Sequence, residues 1–267
     1  MQINSRRLEL TMINIISQSH ETETTIMDML NRQIRTAEMP AVCSACEARH
    51  GGVCSALAPA QLNELRKHSS RRRIDAGTEF IGQGESVSCY SNILKGVVKL
   101  SKVMADGRQQ IVGLQFAPDF MGRPFLGESR MAAEAATDTE ICVFPRRAIE
   151  RLIADTPELE HLLHNQALKE LDEARDWMLT LGRKTAQEKV ASFLALIASH
   201  NDPEANDNNV FELPLSRADI ADFLGLTIET VSRQMTKLRK EGIIQIENNR
   251  HVTVPDIDRL AAAAGND

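Results

Sequence analysis

The most regular alternation of apolar and polar positions in the chain lies at 215–254, LSRADIADFLGLTIETVSRQMTKLRKEGIIQIENNRHVTV. Ser216 followed by Asp219 has the spacing of a capping box, and Ile220, Phe223 and Leu224 fall on one helical face. Gly225 ends that helix, because a tight exit needs the left-handed backbone that glycine takes easily. Thr227 caps a second helix, whose inner face is Val231, Met235 and Leu238; Gly242 stops it. Ile243, Ile244 and Ile246 on one side and Val252 and Val254 on the other flank Asn248-Asn249-Arg250, a hairpin whose turn residues accept positive φ. The pattern predicts a winged helix-turn-helix.

Upstream, 157–182 reads as one long helix opened by Pro157. Ala167, Leu171, Ala174, Met178 and Leu181 recur at alternating spacings of four and three, a short heptad seam for a homodimer. Leu159, Leu162, Leu163 and Trp177 suit packing on the helix's own domain. Gly182-Arg183-Lys184 reads as a hinge, and Thr185 with Glu188 as a capping box for a helix with the stripe Val190, Phe193, Leu194 and Ile197. Residues 200–210 read as a polar loop. Residues 74–146 are short strand-like runs, such as Val97-Val98-Lys99-Leu100 and Ile111-Val112-Gly113-Leu114, between glycine turns, which predicts a small antiparallel barrel or roll. Residues 59–73 read as a short helix with Leu62 and Leu65 on one face, followed by Arg71-Arg72-Arg73 as a solvated element end. The expected organisation is an extension without assigned role (1–40), a cysteine loop and β-roll (41–156), a dimerisation helix (157–182) and a winged-helix domain (183–267).

A chain of 267 residues with 42% hydrophobic and 25% charged positions has room for two domains. Its net charge of −6 excludes a bulk electrostatic nucleic-acid binder, and 4% aromatics argue against a base-stacking single-strand binder. A local basic patch is enough for a helix-turn-helix, and Lys237, Arg239, Lys240 and Arg250 supply one. No apolar run approaches the roughly 20 residues of a membrane span, and the N-terminal stretch lacks a signal-peptide cleavage pattern. A cytoplasmic location without membrane contact is the expectation, and there the five cysteines are ligands or free thiols rather than disulfides.

Two sets of residues carry chemistry. On the outer face of the second helix stand Glu229, Ser232 and Arg233, an acceptor, a hydroxyl and a forked donor of the kind that reads base edges in double-stranded DNA. Thr230, Lys237 and Arg250 complete the expected contact set. The plainer alternative is a solvated face with a Glu229–Arg233 pair worth a few tenths of a kcal/mol. The other set is Cys43, Cys46 and Cys54, a C-x2-C-x7-C spacing whose loop folds back at Gly51-Gly52. Three thiolates leave a four-coordinate site open, with Cys89, Cys142 or His50 as the fourth ligand, and the spacing alone does not separate zinc from an iron–sulfur cluster. No P-loop, nucleophile elbow or H-E-x-x-H is present, so neither an enzyme nor a small-molecule substrate is expected.

The run ETVSR within LGLTIETVSRQMTKLRKEGII resembles the recognition helix of the Crp/Fnr superfamily in its Fnr branch. G-T-x-F-x-x-Q-G-E, then G-V-V-K-L, DGRQQIVGL and PDFMG resemble the family's β-roll, a cyclic-nucleotide-binding-like domain. The resemblance implies an α+β chain of antiparallel β-roll, long dimerisation helix and winged helix-turn-helix. It implies that Glu229, Ser232 and Arg233 read a palindromic TTGAT-type site, with RNA polymerase as a partner. It further implies a [4Fe-4S] cluster on Cys43, Cys46, Cys54 and Cys142, as in the FnrN/FnrL-like form of the branch with its longer last spacing, and thus oxygen-responsive regulation. Cys89 matches no ligand. Against the nucleotide pocket of other branches, MGRPFLGESRMAAEAATDTEICVF has Ser129-Arg130 in reversed order and Glu134 near the position of a phosphate-binding arginine. A haem or nitric-oxide sensor using His50 or His161, a zinc regulator, and a nucleotide-responsive regulator are the alternatives on the same fold.

Overall fold

Where the sequence concentrates turn glycines it forms short strands. The structure is a computed structural model that describes residues 40–200 and 210–265; the extension expected at 1–40, except Pro40, and most of the loop expected at 200–210 lie outside the described residues. The chain enters through α1 (Ala41–Ser44), α2 (Glu47–His50), a 3-10 turn (Val53–Ala56) and α3 (Pro59–His68). The roll follows as β1 (Ser70–Ile74), β2 (Glu79–Ile81), β3 (Cys89–Lys95), β4 (Val97–Val103), β5 (Gln109–Phe116), β6 (Phe120–Met121), β7 (Ala132–Ala135) and β8 (Thr139–Pro145). These strands make two four-stranded antiparallel sheets, ordered β1-β8-β3-β6 and β2-β7-β4-β5. Ile93, Val98, Met121, Ala133, Ile141 and Val143 fill the space between them. Gly96 turns β3 into β4 at φ +93, where a Cβ would stand 2.6 Å from the Thr139 hydroxyl oxygen, so no side chain fits.

After the roll come α4 (Arg146–Asp155) and the 27-residue α5 (Pro157–Arg183). Leu159, Leu162 and Leu163 pack against Val53, Leu57, Tyr90 and Phe120, fastening the first turns of α5 to the roll and to the cysteine segment together. The last domain consists of α6 (Ala186–Ser199), β9 (Val210–Glu212), α7 (Arg217–Leu224), α8 (Ile228–Lys240), β10 (Gln245–Glu247), β11 (His251–Thr253) and α9 (Ile257–Ala263), with a three-stranded wing ordered β10-β11-β9.

Several sequence expectations need correction. Arg71, Arg72 and Arg73 do not end a helix: the helix stops at His68, Ser69 turns extended, and the three arginines lie within edge strand β1, paired with β8. Trp177 packs not on the roll but on Phe223 of α7, with ring centroids 4.5 Å apart. The hinge read at Gly182-Arg183-Lys184 falls at the last of these residues, since α5 runs through Arg183 and the chain turns extended at Lys184. The helices α4 and α9 and the third wing strand β9 have no counterpart in the sequence reading.

The winged-helix domain rests on its own roll. Ile111 and Phe116 of β5 join the core formed by α6, α7, α8 and the wing, and the Gln110 side-chain amide donates to the Phe223 carbonyl at 3.1 Å. The strongest polar tie is Lys99 on β4, only 8% exposed, whose ammonium donates to Asp219 of α7 at 2.6 Å and stands 2.9 Å from Glu134 on β7. Burial pushes the Asp219 carboxyl up, but the bonds from Lys99 and Ser216 outweigh it and leave its pKa below the ordinary carboxylate value. Burial likewise lowers Lys99, and its two carboxylate partners outweigh that and raise it.

A depressed Asp219 contributes stability above its unfolded pKa and loses it as pH falls through the folded one. A raised Lys99 contributes below its unfolded pKa and loses it as pH rises through the folded one. Lys99→Met keeps most of the side-chain volume but leaves the Asp219 and Glu134 carboxylates without their cation, and is expected to cost about 2–4 kcal/mol in urea unfolding at neutral pH. The gap between variant and wild type should hold across the neutral range and close as pH drops below the carboxylate range. A gap independent of pH would mean that lost packing, not charge, dominates.

Candidate nucleic-acid interface and thiol site

The helix pair is locked by caps at each joint. The Ser216 hydroxyl accepts from the Asp219 amide at 3.1 Å, and the Asp219 carboxylate accepts from the Ser216 amide at 3.2 Å. Gly225 closes α7 in the left-handed conformation, φ 61 and ψ 42. The Thr227 hydroxyl accepts from the Thr230 amide at 3.2 Å to open α8. Val231, Met235 and Leu238 are buried on the inner face of α8, so its rotation is fixed and Glu229, Ser232 and Arg233 are turned outward and exposed. Hydrogen bonds from its own backbone and from Thr227, then the charge of Arg233, hold the Glu229 carboxyl below its ordinary range. The face thus offers an ionised acceptor, a hydroxyl and a guanidinium at the start of the helix, where a recognition helix meets base edges.

The other expected contacts fare unequally. Thr230 is half-buried with its hydroxyl 3.1 Å from that of Thr227, so it serves the cap. The Lys237 ammonium donates to the Gln187 side chain at 2.6 Å, which sets it beside α6. Arg250 stands on the wing turn, 3.6 Å from Glu212; that turn carries Asn248 and Asn249 at φ 50 and 60, as their side chains allow. Arg217 was missed: its guanidinium donates to the Asn249 carbonyl at 3.3 Å and ties α7 to the wing. A charge at the first position of a capped helix next to a wing is the signal that would have found it.

The four cysteines come from three separate places: Cys43 on α1 and Cys46 just after it, Cys54 in the 3-10 turn, and Cys142 on β8. Cys142 is half-buried, while Ile141 and Val143 on either side point into the roll. It therefore faces the cysteine segment, and the thiols lie within each other's field. Burial, then Cys142, Cys46 and Cys43, push the Cys54 thiol up to about 12. Burial, with Cys46 and Cys43 adding to it and a Ser69 hydrogen bond opposing, pushes Cys142 to about 11. Burial and Cys46 raise Cys43, and Arg66 and Arg71 oppose. Crowded, half-buried sulfurs that resist ionisation become good ligands once a cation replaces their protons. Among the described residues no three His, Cys, Asp or Glu side chains stand close enough to hold a single metal ion. Four cysteine thiolates are the donor set that a four-iron cluster takes, one at each iron, and that set is present here. Cys89 is exposed at the head of β3, away from this set. His50 and His161, the alternative haem ligands, are both exposed.

On α5, Leu171 is 46% and Met178 72% exposed, with Ala167 and Ala174 exposed beside them and Leu168 and Leu179 adjoining. Leu181 is only half-buried, turned partly toward the body. An open cleft of about 530 Å³ lies where a nucleotide pocket would be, lined in part by Gly84, Lys102, Glu128, Ser129 and Arg130. Its Ser129 amide donates to the Glu85 carbonyl at 2.8 Å and its hydroxyl to the Met131 carbonyl at 2.6 Å, while Glu134 is taken up by Lys99. Both Ser129 donors are thus already bonded within the chain.

Residues 188–263 match the model of the Crp-like helix-turn-helix domain, and residues 71–156 that of the cyclic nucleotide-binding domain. A probable transcriptional activator of Rhizobium leguminosarum bv. viciae is 64% identical over 88% of this chain and 98% of its own. The chain belongs to the Crp/Fnr family. The transcriptional activator protein FnrL of Cereibacter sphaeroides is a further relative, 40% identical over 86% of this chain and 96% of its own. The structure of FixK2 from Bradyrhizobium japonicum superposes with a TM-score of 0.68 at 32% identity, covering 73% of this chain and 96% of that one. The fold is therefore that of Crp/Fnr regulators, an antiparallel sensor roll followed by helices and a DNA-binding helix-turn-helix, and the chain is a transcription regulator rather than an enzyme.

For a Crp/Fnr recognition helix set in this way, Arg233→Ala is expected to cost about 1–3 kcal/mol per half-site and to relax preference at one base pair only. Lys237→Ala should weaken all sequences alike and lower the salt slope by about one unit per half-site. Binding to sites varied one base pair at a time decides the roles. Equal weakening of every site by Arg233→Ala would make Arg233 a backbone contact.

Proposed function

We propose that this regulator is an oxygen-responsive activator of the Fnr type, in which a [4Fe-4S] cluster on Cys43, Cys46, Cys54 and Cys142 governs dimerisation and binding to a palindromic TTGAT-type site, with RNA polymerase as the partner on DNA. The observation that carries this reading is the convergence of four thiols from α1, the 3-10 turn and β8 on ground that also touches the dimerisation helix. When bound, the cluster supplies an oxygen-labile bond network that joins the four sulfurs.

The chain's own residues do the rest. Val53 and Leu57 flank Cys54 and pack in one core with Leu159, Leu162 and Leu163, so the position of the cysteine turn is read by the first turns of α5. The Gln166 side-chain amide, donating to the Phe120 carbonyl at 3.3 Å, extends that grip along the helix. Beyond it, Ala167, Leu171, Ala174 and Met178 meet their symmetry mates in a second copy. A group bound only in the arrangement that suits the dimer shifts the equilibrium by its differential affinity. Two copies then place their α8 helices about 34 Å apart, one turn of DNA, and the site is a palindrome.

Purification without oxygen is expected to give a brown protein with four irons and four sulfides per chain. Single Ser replacements at Cys43, Cys46, Cys54 or Cys142 should each abolish the colour, while Cys89→Ser should keep it. A full iron content in Cys142→Ser would remove Cys142 from the ligand set, and a colourless wild type holding zinc would overturn the oxygen reading.

Met178→Glu sets like charges against each other across the seam. It should sediment as a monomer even without oxygen while retaining the colour. An unchanged dimer would show that another face pairs.

A further inference from the structure

Asn92 occupies the middle of β3 with no exposure to solvent. Strand interiors disfavour asparagine, and a buried amide needs partners at both ends. Its nitrogen donates to the Cys54 sulfur at 3.4 Å, and its oxygen, Oδ1, is buried with no hydrogen-bond partner. In the sheet it pairs in register with Cys142 on one side and with Phe120 on the other. One residue thus bonds the third cysteine of the triplet and lies beside the strand position of the fourth.

The Asn92 amide brings an N–H donor to the Cys54 sulfur. A metal-bound thiolate has no proton left and takes hydrogen bonds only from donors, which the amide N–H supplies. We propose that Asn92 is a positioning residue for the thiol site, holding the Cys54 sulfur toward Cys142 and keeping a hydrogen bond on that sulfur when it is a cluster ligand. This rests on the four-cysteine reading given above. An N–H on a ligand sulfur draws negative charge away from the metal centre, favours its more reduced form and so raises its reduction potential. Without that bond the sulfur is richer in electrons and the centre is oxidised more easily.

The test uses the full chain as wild type, Asn92→Leu and Asn92→Asp, each reconstituted anaerobically with iron and sulfide. Leucine keeps the volume without a donor; aspartate keeps the shape and replaces the donor with a charge that repels the sulfur. Both variants are expected to bind iron and sulfide, to show a lower midpoint potential than wild type, and to lose their visible absorption in air about 10-fold faster. A purely structural role would lower the melting temperature and leave the potential unmoved. Full iron content with unchanged potential and unchanged decay in air overturns the proposal. So does loss of the folded circular-dichroism spectrum in both cluster-free variants, since Asn92 would then be part of the frame. A wild type that takes up neither iron nor sulfide overturns the cluster reading and this inference with it, which tells the two failures apart.

Discussion

Leu159 sits where three parts of the molecule meet. It is 1% exposed, inside a core supplied by the cysteine segment through Val53 and Leu57, by the roll through Tyr90, Phe120 and Phe144, and by α4 through Ile149 and Ile153. Close-packed cores transmit displacement because they hold few voids to absorb it. A shift of the cysteine segment therefore has to be taken up either by the roll, whose two sheets pack on their own core, or by α5, which is held on one face and open on the other. The helix has more freedom to respond.

The same helix reaches the DNA-binding half at its far end. Trp177 lies against Phe223, and Phe223 against Phe193 with ring centroids 6.0 Å apart, so the C-terminal turns of α5 touch both α7 and α6. The contact with the roll is independent of this one and has a polar part, Lys99 with Asp219 and Glu134, beside the apolar part from Ile111 and Phe116. The orientation of α8 in a single chain thus answers to two constraints, a helix end and a buried ammonium. Apolar packing tolerates sliding better than a charge held between two carboxylates does. The ion pair is accordingly the more specific of the two, even where it adds little net stability.

Local rules carried most of what was legible in the sequence. Capping boxes at Ser216 and Thr185, the left-handed glycine at 225 and the asparagine turn at 248–249 each depend on neighbours within four residues, and the structure places each as read. The elements that were missed depend on distant partners. The strand β9 pairs only with β11 across some forty residues, and α9 is a short run rich in alanine whose Leu260 is buried against the rest of the domain. For Trp177, spacing along α5 gave the correct face and the wrong neighbour, because Phe223 comes from another domain. At the candidate site, the outward face of α8 follows from Val231, Met235 and Leu238 alone. The contact of Asn92 had no trace in the sequence, since an asparagine between Ser91 and Ile93 acquires the Cys54 sulfur as a partner only when the 3-10 turn is laid over β3.

Under the proposed function, the composition of the seam accounts for control of pairing by a remote group. Burying a leucine or methionine contributes about 1.5–3 kcal/mol, and here such contributions come from Leu171 and Met178, with alanines at 167 and 174 and Leu181 already half-covered by its own chain. Against this stands the cost of association, several kcal/mol of lost translational and rotational freedom. The two are of the same order, and where opposing terms nearly cancel a modest bias has its largest effect on the populations. Turning a pair of states from 1:99 to 99:1 takes about 5.5 kcal/mol of differential binding. A seam of five leucines would hold the dimer whatever happened at the thiols, and a fully polar one would never form it. The alternation of Ala and larger apolar residues therefore matches a helix whose pairing is decided from its N-terminal end.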